Sequence, residues 1–177
     1  MSKLNLGDQI IDFNLPATDA GTYSPESFRD KIALAVIFSC VHCPYVKAWE
    51  DRLIDLGKQY QSKGLDMVLI CSNDAVKYPA DNFENMTGHA REKQYPFPFL
   101  HDESQAVARA YGAERTPEVF LFDYERKLVY RGAPDDNYED PGAVKQEYLR
   151  DAIEAVLEGE PVPTPQTPPV GCTIKWK

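Results

Sequence analysis

At 177 residues the chain suits one domain, large enough to bury a core without covalent staples. Its 19 basic and 28 acidic residues leave a net charge of -9, which disfavours phosphate backbones and anionic membrane surfaces, so neither nucleic acid nor membrane is expected as a partner. Four cysteines are too few and too unevenly spaced for a disulfide scaffold, and in a reducing compartment they are better suited to chemistry.

The opening Met1-Ser2-Lys3-Leu4-Asn5-Leu6-Gly7-Asp8 lacks a charged-then-apolar export pattern and no apolar run approaches a membrane span, so a cytoplasmic protein is expected. Residues 7–23 alternate short apolar groups with Pro16 and Asp19-Ala20-Gly21, the pattern of a β-hairpin. Ser24-Pro25 reads as a cap and first position of a brief helical turn through Phe28. Residues 31–38 form an apolar strand of the kind buried on both faces, and a helix with Val46, Trp49, Leu53, Leu56 and Tyr60 on one side runs from there to Lys63-Gly64. A second apolar run at residues 67–70 completes a β-α-β unit, whose strands must be parallel.

Residues 79–92 carry Phe83, Met86 and Ala90 at helical spacing after Pro79. Pro96-Phe97-Pro98-Phe99-Leu100 suits only an edge strand or a connector, because proline cannot donate to a ladder. Asp102 and Gln105 fit a capping pattern for a helix through Tyr111, ended by Gly112. Residues 119–122 and 128–130 flank a polar turn as an antiparallel hairpin, and Asp140-Pro141 is expected to cap a last helix with Leu149, Ala152, Ile153, Val156 and Leu157 on its apolar stripe. Five prolines between Pro161 and Pro169 then mark residues 160–177 as a tail beyond a domain of residues 1–159. Its proline-rich part is expected to be an extended spacer of about 3 Å per residue that carries Cys172 and Trp176 across the surface.

The chemistry gathers at Cys40-Val41-His42-Cys43-Pro44, where the strand meets the helix. Unpaired N–H groups and the positive dipole end at a helix start stabilise a thiolate, so Cys40 is expected as nucleophile, with Cys43 one turn in to resolve the mixed disulfide. Two other readings stand beside this one. Cys40, His42 and Cys43 offer three soft metal ligands, but structural zinc wants four and no second pair follows; inert core cysteines would leave the junction and the proline unexplained. Cys71, at the end of the second strand, is either core filling or a further redox thiol, and Cys172 is a possible additional redox residue.

The order hairpin, β-α-β with Cys-x-x-Cys, helix, antiparallel hairpin, helix, with Thr116-Pro117 before the hairpin, resembles the thioredoxin fold, an α/β class with a central mixed sheet, flanking helices and here an N-terminal β-hairpin extension. Leu6-Gly7-Asp8, Phe13-Asn14-Leu15-Pro16 and the segment from Asp102-Glu103 to Tyr111-Gly112 look like the alkyl hydroperoxide reductase/thiol-specific antioxidant, or peroxiredoxin-like, branch, and Gly171-Cys172-Thr173-Ile174-Lys175-Trp176 resembles the end of one group of bacterial proteins in it. The resemblance implies a cis bond before Pro117, which would face the cysteine pair, with the loop at Arg115 and Thr116 binding a partner's backbone as a short strand. Peroxiredoxins carry Pro-x-x-x-Thr-x-x-Cys; with Cys43 aligned on that cysteine, Cys40 stands at the threonine and Val36 at the proline. Ser39 replaces the tryptophan that often precedes the pair in thioredoxins, and Leu34 stands near their buried acid. His42, in the variable position, would favour a nearby thiolate, and Arg115 would add positive potential near Cys40.

The resulting expectation is a thiol-disulfide oxidoreductase acting on protein or small-thiol disulfides, in antioxidant or redox homeostasis, with no cofactor. The alternatives are a thiol-dependent peroxidase and a redox-inert protein-binding module.

Overall fold

Six consecutive apolar residues, Ala33–Phe38, form β3, the middle strand of a five-stranded sheet, in a computed structural model that describes residues 4–177. Met1, Ser2 and Lys3, the start of the stretch read for an export pattern, lie outside the described residues. Successive side chains of a strand point to opposite faces, so a run with no polar member needs cover on both sides. Ala33, Ala35 and Ile37 pack under one set of helices, while Leu34, Val36 and Phe38 pack against the other side of the molecule.

The N-terminal hairpin is reduced to two short strands, β1 (Leu15–Pro16) and β2 (Thr22–Tyr23), followed by the expected turn Pro25–Phe28 behind Ser24. Helix α1 (Pro44–Tyr60) follows β3 and turns Val46, Trp49, Leu53 and Ile54 inward. A 3₁₀ turn and Gly64, at a positive φ of 114° that glycine adopts without strain, return the chain to β4 (Leu65–Cys71), parallel to β3. Helix α2 (Phe83–Glu92) leads to β5 (Phe99–His101), the parallel edge strand that follows Pro96 and Pro98. Helix α3 (Ala106–Tyr111), the two-residue β6 (Arg115–Thr116) and the antiparallel pair β7 (Glu118–Phe122) and β8 (Leu128–Gly132) come next, and α4 (Tyr148–Glu158) covers the sheet with Leu149, Ala152 and Ile153. The sheet order is β5-β4-β3-β7-β8, with β3 pairing β7 in antiparallel register.

Besides α1, whose start is described with the site below, three helix starts differ from the sequence expectation. Pro79 opens only a 3₁₀ turn, Pro79–Asp81, and α2 begins after Asn82, whose side chain accepts from the Asn85 N–H. Asp140 caps a separate turn, Pro141–Ala143, five residues short of α4. Asp102 does cap α3, accepting from the N–H groups of Val107 and Ala108, but Gln105 precedes the helix and its amide reaches Ser72 and Lys175 carbonyls instead.

The tail lies along the body. Arg131 exchanges backbone hydrogen bonds with Pro165 and Thr167, and the Thr167 hydroxyl meets Tyr130 OH at 2.7 Å. Further on, β9 (Cys172–Thr173) pairs with β6, Ile174 enters the core, and Arg109 stacks on Trp176 at 4.4 Å. Two glycines make this approach possible: a Cβ on Gly132 would lie 2.0 Å from Thr167 Oγ1, and one on Gly171 would lie 2.1 Å from the Thr116 carbonyl oxygen. Among the described residues no helix is long and apolar enough to cross a membrane.

Ile153, fully buried between α4 and the sheet, tests this packing. Ile153→Ala is expected to lower unfolding stability by about 3 kcal/mol in urea titrations, with an unchanged denaturant slope.

Candidate active site

The site is built where β3 ends. Ser39 and Cys40 follow the strand, Val41 and His42 make a tight bend, and α1 begins at Pro44 with Cys43 as its N-cap. The helix therefore starts about one turn later than the sequence suggested, and it is Cys43, not Cys40, that stands at the open N–H groups of its first turn. Both cysteines are fully buried, at 0% exposure.

Thr116 links the two sulfurs. Its hydroxyl lies 3.7 Å from Cys40 Sγ, and its carbonyl oxygen lies 3.5 Å from Cys43 Sγ. The Thr116–Pro117 bond is cis, as the resemblance implied. Glu118, next in the chain and itself buried, accepts from the Glu114 and Arg115 N–H groups and from the Arg131 guanidinium, so this loop is fastened from below.

A second buried acid holds the opposite wall. Asp81 accepts from the N–H groups of Val41 at 2.7 Å and His42 at 3.2 Å, and from the Asn73 amide at 2.9 Å, while His42 Nδ1 rests against its other oxygen. The His42 ring stacks on Tyr78 with a centroid distance of 6.1 Å. Cys40, His42 and Asp81 bring three possible metal-ligating atoms within 4.8 Å of one another. Both Asp81 oxygens are already engaged by N–H donors and the His42 ring, so the carboxylate serves the bend and is poorly disposed to serve a cation.

The thiols are electrostatically unequal. A hydrogen bond to Cys43, then burial, then the charge of Asp81 push the Cys40 thiol well above the ordinary thiol range. The hydrogen bond from Cys40 pulls Cys43 down to about 4; burial opposes this, and the Cys172 thiol and the Val46 and Cys172 N–H groups add to it. The coupling favours the proton on Cys40 and the negative charge on Cys43, the residue that stands at the start of α1. Cys172 is pushed up to about 11 by burial and by its hydrogen bond to Cys43.

Cys71, fully buried at the end of β4, is pushed up to about 12 by burial, the character of a core-filling thiol. Arg115 donates to the Gly171 carbonyl at 3.3 Å, which engages it with the tail. Sequence reasoning missed Asp81 and Glu118. The helical spacing after Pro79 hides Asp81 inside a helix, and its place beside Asn82, a strong cap, is the available signal. Glu118 stood just outside the apolar run 119–122, where an acid next to Thr116-Pro117 and a buried strand was the clue.

The order of the sheet, the cysteine pair at the start of α1 and the facing cis-proline loop define a thioredoxin-like redox protein. A Redoxin family profile matches residues 5–146, and the chain belongs to that family, the thioredoxin-like proteins of peroxiredoxin type. Among solved structures it is similar to an uncharacterized conserved protein of Geobacillus kaustophilus, with 44% identity over 98% of this chain and 93% of that one and a TM-score of 0.93. A hypothetical protein of Sinorhizobium meliloti 1021 is similar at 40% identity, covering 99% and 97% of the two chains with a TM-score of 0.91. The fold alone extends to peroxidoxin BcpB of Mycobacterium tuberculosis, at 18% identity over 88% and 97% of the chains and a TM-score of 0.67. No curated protein matches the chain.

The reduced protein is expected to carry one thiolate at neutral pH, read as ultraviolet thiolate absorbance that fades only as pH falls toward about 4 and is missing in Cys43→Ser. Because the folded value lies below the ordinary thiol value of 9.0, the ionised form contributes stability above that value, and the contribution is lost as pH falls from there to about 4.

Proposed function

We propose that the protein is a thiol-disulfide oxidoreductase in which Cys43 is the attacking thiolate and Cys40 the buried partner thiol. The observation that carries this reading is the asymmetry of the pair: Cys43 stands at the N-terminus of α1, while Cys40 lies beside Asp81, whose charge helps to push its thiol up. The Cys43 thiolate attacks a partner disulfide, forming a mixed disulfide and expelling one partner thiolate, which takes up a proton. Cys40 then attacks Cys43 Sγ and expels the second partner thiolate, to which its own proton passes. The products are the Cys40–Cys43 disulfide and a reduced partner, and the reverse sequence oxidises a dithiol.

Access follows from the fold. The edge of β6 beside Pro117 is occupied by β9, a ladder of only two residues, so a partner reaches the cysteines only when β9 leaves that edge. A partner strand would take that edge in its place, as the family resemblance implies for the loop at Arg115, Thr116 and Pro117. A groove of about 630 Å³ lined by Val41, His42, Lys47 and His89 adjoins the bend and offers further room for the partner.

The position of Val36 favours exchange over peroxide reduction. It stands where a peroxiredoxin keeps its shielding proline, yet its side chain packs on the face of β3 opposite to the one that carries Cys40 and Cys43. In insulin disulfide reduction coupled to dithiothreitol, the wild type is expected to be active and Cys43→Ser to lose activity by about a hundredfold or more. Consumption of hydrogen peroxide faster than insulin disulfides would instead mark a thiol peroxidase and defeat this assignment.

A further inference from the structure

The tail strand brings a third sulfur to the same point. β9 pairs with β6 so that Cys172 stands opposite Thr116, the residue whose carbonyl lies 3.5 Å from Cys43 Sγ. The side chain and backbone of Cys172 both help to lower the Cys43 thiol. This seat is built on either side of Cys172. Upstream, Gly171 lies so close to the Thr116 carbonyl that any side chain would collide with it, and the Arg115 guanidinium grips the Gly171 carbonyl. Downstream, the Ile174 N–H donates to the Glu114 carbonyl at 3.0 Å, and Ile174 is buried in the core. Lys175 donates its N–H to Asn73, the same side chain that donates to Asp81 beneath the bend of the cysteine pair.

Backbone pairing at the edge next to the cis-proline, with a sulfur aimed at the active cysteine, is the arrangement a bound disulfide partner would adopt in the proposed exchange. Here the chain supplies it from its own tail. We propose that Cys172 is a second resolving cysteine: when β9 returns to the edge of β6 that the partner strand has vacated, its sulfur attacks Cys43 Sγ of the mixed disulfide, forms a Cys43–Cys172 bond and expels the partner as a thiolate. This rests on the assignment of Cys43 as the attacking residue. The electrons balance without an outside oxidant, since one disulfide is exchanged for another, and the proton released by Cys172 goes to the departing thiolate. Attack by Cys40 on Cys43 Sγ then moves the bond to Cys40–Cys43 and frees Cys172 as a thiol.

The electrostatics support this order of events. While Cys43 is a thiolate, its hydrogen bond and its charge add to burial in holding the proton on Cys172. Once Cys43 is bonded to a partner, that negative charge is gone and Cys172 ionises more readily, so the resolving thiol is activated by the intermediate it must attack.

The test uses the full chain and oxidised glutathione as the probe, with Cys40→Ser to remove the competing resolver. In Cys40→Ser/Cys172→Ser, Cys43 is expected to hold a glutathionyl group that persists after excess reagent is removed. With Cys172 present, in Cys40→Ser, that adduct is expected to have a lifetime shorter by about tenfold or more, because the tethered thiol acts at a high effective concentration. Alkylation and peptide mass mapping should then find Cys43 joined to Cys172. Equal adduct lifetimes in the two variants, with no joined peptide, would overturn the role of Cys172 while leaving Cys43 as the attacking thiol. Failure of Cys43 to accept glutathione in either variant would remove both. Cys40→Ala, made with and without Cys172, repeats the comparison if serine at this buried position prevents folding.

Discussion

Two segments that are far apart in the chain, the cysteine bend and the tail, meet on Thr116. Its hydroxyl faces Cys40, its carbonyl faces Cys43, and its backbone forms the ladder that seats Cys172. A displacement of this one residue would change the environment of every sulfur at the site except that of Cys71. The structure accordingly spends two buried carboxylates on fixing the surroundings: Glu118 under the loop that carries Thr116, and Asp81 under the bend between the cysteines. Buried acids are costly unless their oxygens are fully used, and both of these accept several N–H groups.

That arrangement explains how two thiols one bend apart acquire opposite characters. A buried thiolate needs a favourable field, and of the two cysteines only Cys43 stands at the start of α1. Cys40, next to Asp81 and away from the helix axis, is left to hold the proton. The negative charge is then paired with a hydrogen-bond donor that is also the next nucleophile. Such coupling makes the pair titrate as a unit.

Much of the framework was legible because continuous apolar runs leave a sheet little choice. The runs at 33–38 and 67–70, with a helical pattern between them, could only be a parallel β-α-β unit, and the prolines before Phe99 confined the next strand to an edge. Helix starts were less legible: Pro79 and Asp140 each open a 3₁₀ turn that a proline and a cap support equally well. The same uncertainty decided the chemistry. A shift of the start of α1 from Cys40 to Cys43 moves the helix dipole from one sulfur to the other, and nothing in the local residue types distinguishes the two placements. The tail was harder still, since its seat depends on Gly132 and Gly171, whose missing side chains leave no pattern in a sequence.

The way Trp176 is held gives the tail an optical signature. The chain has two tryptophans. Trp49, on the buried side of α1, has its indole N–H bonded to Asp135, whereas Trp176 lies against the Arg109 guanidinium only four residues beyond Cys172. Departure of the last turn of chain from α3 would strip that ring of its cation and wet it, while Trp49 stayed dry. Emission from the native protein therefore carries a built-in gauge of whether the third sulfur is docked, readable in real time without a label.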